Sequence, residues 1–354
     1  MVEFFSEYGL FLAKTVTWVV AIGLVLAMIA AAAQKRRKPN DGEIEVESLN
    51  DHFTELKETL EDHILDEHRL KQMHKAQKKQ DKEEAKARKK AAKSGAQAEE
   101  DRKRIYVIDF DGDIQASEVD KMRQEVTAVL TLAREVDEVV VRLESPGGLV
   151  HGYGLAASQL ERIRRKQIPL TVCVDKVAAS GGYMMACIAN KIIAAPFALI
   201  GSIGVVAQIP NFHRLLKKND IDYEVLTAGD YKRTLTMFGE NTEKGREKFV
   251  EELEDTHALF KEFVSDYRSD LDIEKVATGE VWFGRRAIAN GLIDQIETSD
   301  DYLVNAADEA DIYKVSYQVK QSLQERLEHF GVSAVTGVAG KAWSSLTQSR
   351  FWAR

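Results

Sequence analysis

Short apolar segments alternate with helical segments between residues 104 and 296, and this alternation limits the possible folds more than any other sequence feature. The segments predicted as strands are RIYVIDF, EVVVRLE, LTVCVD, KIIAAP and YEVLTA. Helices are predicted over residues 117–133, 153–165, 180–189 and 242–267. Strands joined through helices form parallel sheets with right-handed crossover connections. The sequence therefore predicts an α/β domain over residues 104–300, followed by a carboxyl-terminal extension over residues 301–354.

A long uncharged run lies near the amino terminus, over residues 15–33. At about 1.5 Å per residue, a helix of this length crosses a hydrocarbon core of about 30 Å. A cleaved signal peptide is the alternative, because AAAAQ offers small residues for cleavage. The residues ahead of the run, MVEFFSEYG, contain two glutamates and no lysine, which is the wrong charge for a signal peptide. We therefore expect residues 1–38 to be a single-pass transmembrane anchor in the cell inner membrane, contacting lipids through residues 9–38.

Residues 39–103 are predicted to be a charged and largely helical linker. Apolar residues at helical spacing, which predict an amphipathic helix over residues 40–70, are Leu49, Phe53, Leu56, Leu60 and Ile64. Residues 69–104 then carry 14 Lys/Arg against 6 Asp/Glu. Such a segment is typical of a solvated linker or of contact with anionic lipid. No aromatic residues are interleaved with the lysines, so nucleic acid is not an expected partner.

Cysteine and histidine patterns argue against a metal centre. Cys173 and Cys187 occupy apolar contexts and are interpreted as buried free thiols. The sequence contains no HExxH and no paired CxxC. We expect no metal and no cofactor, and this excludes the metallopeptidase class.

Ser180 is the first candidate for chemistry. It follows the strand LTVCVD and a small-residue turn, and it begins the helix SGGYMMA. A serine there lies at the carboxyl edge of the sheet and at a helix amino terminus, where backbone N–H groups are unpaired. The amide of Gly181 is then available to a developing oxyanion. A simple helix cap is the alternative interpretation of Ser180.

A second glycine pair ends the strand EVVVRLE in the motif Ser145-Pro-Gly-Gly. Gly147 and Gly148 allow the chain to turn an N–H group towards the same cleft. One positioned donor of this kind is worth about 10²–10³ in rate. The alternative is an ordinary strand-to-helix turn.

A serine hydroxyl needs a base, and residue patterns alone do not identify one. Four of the eight histidines lie in the amino-terminal third, His257 lies within a predicted helix, and His329 lies in the tail. His151 and His213 have no acidic neighbour that marks an oriented base. Lys232, in TAGDYKRT, is a candidate because burial can lower a lysine pKa towards neutrality.

Five segments in order resemble the signal peptide peptidase A family of serine peptidases, and its short membrane-bound branch in particular. They are SPGG, KVAASGGYMMA, AAPFALIGSIGV, AGDYKRT and TGEVWFGRRAIANGLID. The resemblance covers residues 104–296 and extends to the anchor and charged region. It implies a crotonase-like (Clp protease-like) fold and a Ser–Lys dyad, in which Ser180 is the nucleophile and Lys232 the general base.

The resemblance also implies the surroundings of the dyad. Amides of Gly148 and Gly181 would hold the oxyanion, and Ser202 in IGSIGV would orient the lysine. Homo-oligomers are expected, in which the lysine of one protomer can reach the serine of another. Implied substrates are signal-peptide-like, membrane-derived or unfolded polypeptides, which the enzyme would cut as an endopeptidase.

Three questions stay open at this level. An acyl-CoA hydratase or isomerase would use the same fold, although no acidic residue closely follows SPGG. A non-catalytic membrane scaffold would leave Ser180 unreactive. The family resemblance favours the periplasmic face, whereas KRRK at residues 35–38 favours the cytoplasmic face.

Overall fold

The computed structural model describes residues 42–66, 102–229 and 231–319, together with isolated positions between 9 and 18 and between 68 and 86. The chain divides into two compact units, one formed by Ile44–Gln318 and the other by Met1–Glu43 with Val319–Arg354. The anchor predicted at residues 15–33 falls almost wholly outside the described residues. Within the residues that are described, no helix is long and apolar enough to cross a bilayer.

A seven-stranded sheet is the centre of the fold. Its strands, in spatial order, are β1 (Gly42–Ser48), β10 (Ala310–Val319), β2 (Lys103–Asp111), β3 (Glu138–Glu144), β4 (Leu170–Val174), β6 (Lys191–Ala194) and β9 (Gln295–Ile296). Every neighbouring pair from β10 to β9 is parallel. The predicted α/β class is confirmed, because four of the five predicted strands form this sheet in the expected direction.

Helices cover both faces of the sheet. The helices of the described residues are α1 (Leu49–Ile64), α2 (Val119–Leu132), α3 (Val150–Arg165), α4 (Gly181–Ala186), α5 (His213–Lys218), α6 (Glu243–Tyr267), α7 (Ile273–Val276), α8 (Gly284–Ala287) and α9 (Ser299–Ala306), of which α5 has no buried residue. Successive strand residues point to opposite faces, so each strand supplies two cores. Ile108 and Phe110 pack with residues of α2, α3, α4 and α6. Ile105 and Val107 pack with residues of α1 and α9.

A three-stranded sheet stands at the carboxyl end of the central strands. It consists of β5 (Val177–Ala179), β7 (Leu199–Gly201) and β8 (Val281–Phe283). Strands β5 and β7 are parallel, and β7 and β8 are antiparallel. A bridge between Ser145 and Ala178 links the end of β3 to β5. This bridge brings the SPGG turn beside the segment that leads to Ser180.

The segment YEVLTA forms no strand, so that prediction is wrong. Tyr223 and Val225 are exposed, and the ring of Tyr223 packs against Phe238 with 5.7 Å between ring centroids. Strand residues need a neighbouring strand for their N–H and C=O groups. In the described part of the chain this segment has no such neighbour.

The helix predicted over residues 40–70 begins only at Leu49, because residues 42–48 form β1. The sequence GEIEVES alternates polar and apolar residues, which is the period of a strand.

The expected domain of residues 104–300 is narrower than the compact unit Ile44–Gln318. Strand β10 pairs with β2 inside the central sheet, although residues 301–354 were expected to form an extension.

Candidate active site

Ser180 stands in a strained turn between β5 and α4. Its φ is 51° and its ψ is −117°, a conformation that L-residues rarely adopt. Two backbone hydrogen bonds hold it there: Ser180 N donates to Gly201 O at 2.8 Å, and Met184 N donates to Ser180 O at 2.9 Å. Strain of this kind costs about 1–3 kcal/mol and is found mainly at functional sites.

Gly147 packs directly against Ser180, so the two glycine-containing segments meet as the sequence analysis expected. Its φ is +87°. A Cβ at Gly147 would lie 2.7 Å from Ser180 Cβ and 2.8 Å from Gly181 N. Only glycine satisfies both the conformation and the close approach.

Gly181 directly follows Ser180 in the chain, and Gly148 lines the same cavity as Ser180. A Cβ at Gly148 would lie 2.1 Å from Ile114 O, and one at Gly181 would lie 2.3 Å from Tyr153 Cγ. Neither amide donates a hydrogen bond to another described residue. Unpaired backbone N–H groups of this kind are able to donate to an anionic oxygen.

A buried hydroxyl network fixes the SPGG turn. Gly147 N donates to Ser145 Oγ at 3.1 Å, and Ser145 Oγ lies 2.5 Å from the Tyr153 hydroxyl. The Tyr153 hydroxyl donates to Asp113 O at 2.7 Å. Burial raises the pKa of Tyr153, so the phenol keeps its proton. Ser145 and Tyr153 were not predicted from the sequence as site residues, although a tyrosine eight residues after Ser145, within GYG, is a visible signal.

One cavity of about 820 Å³ collects most of the predicted site residues. Gly148, Ser180, Gly181 and Ser202 all line it. Its apolar wall is formed by Val150, Met184, Leu259, Phe260 and Phe263. A concave, mostly apolar site with a few polar groups is the usual form of a ligand site.

Ser202 reaches this cavity from the end of β7. Its φ is 53°, and its backbone N donates to Glu280 O at 2.6 Å. The preceding Gly201 has a φ of +104°, and a Cβ there would lie 2.8 Å from a ring atom of Trp282. Ser202 therefore has a fixed backbone beside Ser180.

The fold of a single chain does not place Lys232 in the cavity that contains Ser180. Lys232 is exposed and does not line the 820 Å³ cavity. It lies between Tyr231 and Arg233, which line a second cavity of about 430 Å³. Lys232 N donates to Gly229 O at 3.3 Å. Among the described residues, no hydrogen bond joins its side chain to Ser180.

His257 lines the Ser180 cavity, although its position within a helix gave no sign of a site residue. His151 and His213 do not line that cavity. His257 lies three residues before Phe260 and seven before Val264, and both of these residues are buried. Residues at this spacing share one face of a helix, so His257 lies on the inner face of α6.

Both cysteines are free and buried, as predicted. Burial raises the pKa of Cys173 to about 12, so its thiol is unreactive at neutral pH. In the described ranges, no group of His, Cys, Asp and Glu side chains is arranged to hold a metal ion.

A serine in a strained turn, an unpaired amide on the next residue and an apolar cleft fit a serine-type acyl-transfer enzyme. The chain belongs to peptidase family S49. The model described as "Peptidase family S49 N-terminal" matches residues 3–160, and "Peptidase family S49" matches residues 162–313. The protein is therefore a serine-type peptidase, which sets aside the hydratase and scaffold alternatives.

Relatives of this chain are SohB proteases. A protease SohB of Haemophilus influenzae is 52% identical over 333 residues, which are 94% of this chain and 93% of that protein. One from Buchnera aphidicola is 51% identical over 320 residues, which are 90% of this chain and 92% of that protein. A solved membrane-bound stomatin-specific protease with a substrate peptide is 14% identical, covers 65% of this chain and 98% of that chain, and has a TM-score of 0.39.

Proposed function

We propose that this peptidase is a membrane-anchored endopeptidase of crotonase-like fold, in which Ser180 is the nucleophile and Lys232 the general base. The contact of Gly147 with Ser180 carries the proposal, and it is supported by the unpaired amides of Gly181, which follows Ser180, and of Gly148, which lines the same cavity. Substrates are unfolded, membrane-derived or signal-peptide-like polypeptides, whose apolar side chains suit the wall of the cavity.

The chemistry proceeds in two stages. The neutral Lys232 amine takes the proton from Ser180 Oγ, and that oxygen attacks the peptide carbonyl carbon. Gly148 and Gly181 amides donate to the resulting oxyanion. The lysinium then protonates the leaving amine, which leaves an acyl ester on Ser180. Water, deprotonated by the lysine amine, hydrolyses that ester and restores both residues.

We further propose that the dyad forms between protomers of a homo-oligomer. Lys232 is exposed and lies in a segment with exposed apolar residues, among which Leu226 is 90% exposed. Exposed apolar surface of this kind is typical of interfaces. Ser202, whose backbone is fixed beside Ser180, would then orient the incoming lysine.

Turnover of a reduced, alkylated protein by the full chain in detergent tests the dyad. Ser180→Ala and Lys232→Ala should each abolish cleavage, whereas Lys244→Ala, an exposed lysine nearby, should not. Mixing the two inactive variants before assembly should restore cleavage, because a hybrid site can combine Ser180 of one protomer with Lys232 of another. Cleavage by either variant alone contradicts the dyad, and an inactive mixture contradicts the exchange between protomers.

The anchor at residues 1–38 is tested separately. The full chain should fractionate with the inner membrane, and a chain without residues 1–38 should not. Protease accessibility in spheroplasts then identifies the side that holds the catalytic domain. Release of the full chain by a high-salt wash contradicts the anchor.

A further inference from the structure

A tight turn over residues 113–117, between β2 and α2, is closed by the carboxylate of Asp113. Its Oδ1 accepts hydrogen bonds from Gln115 N at 3.0 Å and from Ser117 N at 2.8 Å. Its Oδ2 accepts a hydrogen bond from Ser117 Oγ at 2.8 Å. The bonds from Ser117 and Gln115 hold the pKa of Asp113 below its usual value, so the side chain is charged at neutral pH and accepts all three.

The same hydrogen bonds hold a backbone that is strained at Ala116. This residue has a φ of 56° and a fully buried side chain. The left-handed conformation is unfavourable for a residue with a Cβ. The amides on either side of Ala116 both donate to Asp113, and they oppose relaxation of the turn. Ile114 is 69% exposed, so its own side chain does little to fix the backbone next to Asp113.

The backbone of Ile114 packs against the SPGG turn. Its O, C and Cα atoms occupy the space where a side chain at Gly148 would stand. Ile114 O also accepts a hydrogen bond from Leu149 N at 2.8 Å. Gly148 is thus held at its α-carbon and at the peptide bond that follows it. A shift of Ile114 therefore moves the Gly148 N–H, whose nitrogen is bonded to that α-carbon.

A second link joins the same turn to Gly147. Asp113 O accepts a hydrogen bond from the Tyr153 hydroxyl at 2.7 Å, and that hydroxyl lies 2.5 Å from Ser145 Oγ. Ser145 Oγ in turn accepts a hydrogen bond from Gly147 N at 3.1 Å. The backbone of residues 113–114 is therefore connected to both glycines of SPGG.

We propose that Asp113 is a positioning residue for the oxyanion site, because its carboxylate holds the turn that sets the place of the Gly148 N–H. This inference rests on the proposed function, since it takes the Gly148 amide as an oxyanion donor. Complete loss of one donor lowers the rate by about 10²–10³. Loss of the Asp113 carboxylate displaces the donor without removing it, so we expect kcat to fall about tenfold. KM should change little, because the donor acts on the transition state.

Asp113→Ala in the full chain tests the proposal by cleavage of a reduced, alkylated protein. Its kcat should fall about tenfold. Asp113→Asn, whose side-chain oxygen still accepts from the Gln115 and Ser117 amides, should regain most of that loss. The matched control is Asp120→Ala, because Asp120 is also exposed and its carboxylate bonds to Arg123 and not to the turn. Asp120→Ala should keep the wild-type kcat.

A peptide aldehyde separates positioning of the oxyanion donor from general damage to the cleft. Ser180 Oγ bonds to the aldehyde carbon, the carbonyl π bond breaks, and the hydroxyl proton passes to the Lys232 amine. The resulting oxyanion uses the same donors as the transition state. In Asp113→Ala the inhibition constant of the aldehyde should rise about tenfold. The affinity of the matching uncleaved peptide, measured in the Ser180→Ala background, should stay unchanged.

Two results overturn the proposal. The first is wild-type kcat and wild-type aldehyde inhibition in Asp113→Ala. The second is an equal loss of aldehyde and peptide affinity, which indicates a general role in folding of the cleft. Where Asp113→Ala does not fold, Ser117→Ala removes only the bond to Oδ2; its aldehyde constant should still rise, and an unchanged constant overturns the proposal. Failure of the proposed function is separate: the wild type is then inert, or Ser180→Ala still cleaves.

Discussion

Replacing Gly147 with alanine perturbs the contact on which the candidate site depends. The new Cβ would lie 2.7 Å from Ala179 O, 2.7 Å from Ser180 Cβ and 2.8 Å from Gly181 N. None of these atoms belongs to the end of a flexible side chain, so the backbone itself must move. Alanine at a φ of +87° adds about 1–2 kcal/mol of conformational cost. Overpacking adds about 1–3 kcal/mol, for a total of about 2–5 kcal/mol.

The same movement shifts the amide of the next residue, Gly148, which is proposed to be an oxyanion donor. Loss of one oxyanion donor lowers kcat by about 10²–10³. Denaturant unfolding measures the change in stability, and steady-state cleavage of an unfolded protein measures kcat. The matched control is Gly291→Ala, where φ is +77° and the nearest atom, Leu271 Cδ1, lies 3.4 Å away. Gly291→Ala should show only the conformational cost and wild-type kcat. Equal unfolding midpoints for the two variants, or wild-type kcat in Gly147→Ala, would refute the reasoning.

Two further predictions concern buried groups. Tyr153→Phe removes the hydroxyl between Ser145 Oγ and Asp113 O, and it should lower the free energy of unfolding by about 1–3 kcal/mol. It should also lower kcat about tenfold with little change in KM, because the SPGG turn loses its support; wild-type kcat in a destabilised variant would argue against that link. Burial raises the pKa of Glu125 from 4.5 to about 7, so the folded state keeps a proton that the unfolded state loses. Stability should therefore fall as pH rises from about 4.5 to about 7, and Glu125→Gln should flatten urea midpoints across that window; an unchanged slope would contradict this assignment.

The sequence was sufficient to predict the structure where the local residue pattern and the tertiary structure agree. Apolar runs such as EVVVRLE are buried on both faces of a parallel sheet, and they form strands in the expected parallel direction. The proximity of Ser180 and Gly147 could also be predicted from the sequence, because each residue follows a strand that the apolar pattern identifies. Their contact follows from topology, since carboxyl ends of parallel strands meet at one edge of the sheet.

Other features depend on partners that a local pattern does not reveal. YEVLTA has strand composition, but no described strand lies beside it to accept its hydrogen bonds. Tyr153 and Ser145 meet only after α3 packs on the sheet. His257 becomes a cavity residue because Phe260 anchors its helix, a contact distant in sequence from Ser180. These three side chains differ from other tyrosines, serines and histidines of the chain in their position in the fold and not in their residue type.

The positive φ of Ser180 places backbone strain at the proposed nucleophile. A glycine at that position would adopt the same backbone without a Cβ penalty, which is about 1–2 kcal/mol for an L-residue. Ser180→Gly should consequently melt at a higher temperature than the wild type while cleaving nothing. Selection for thermal stability alone would thus remove the hydroxyl, so the proposed catalytic role and folding make opposing demands on Ser180.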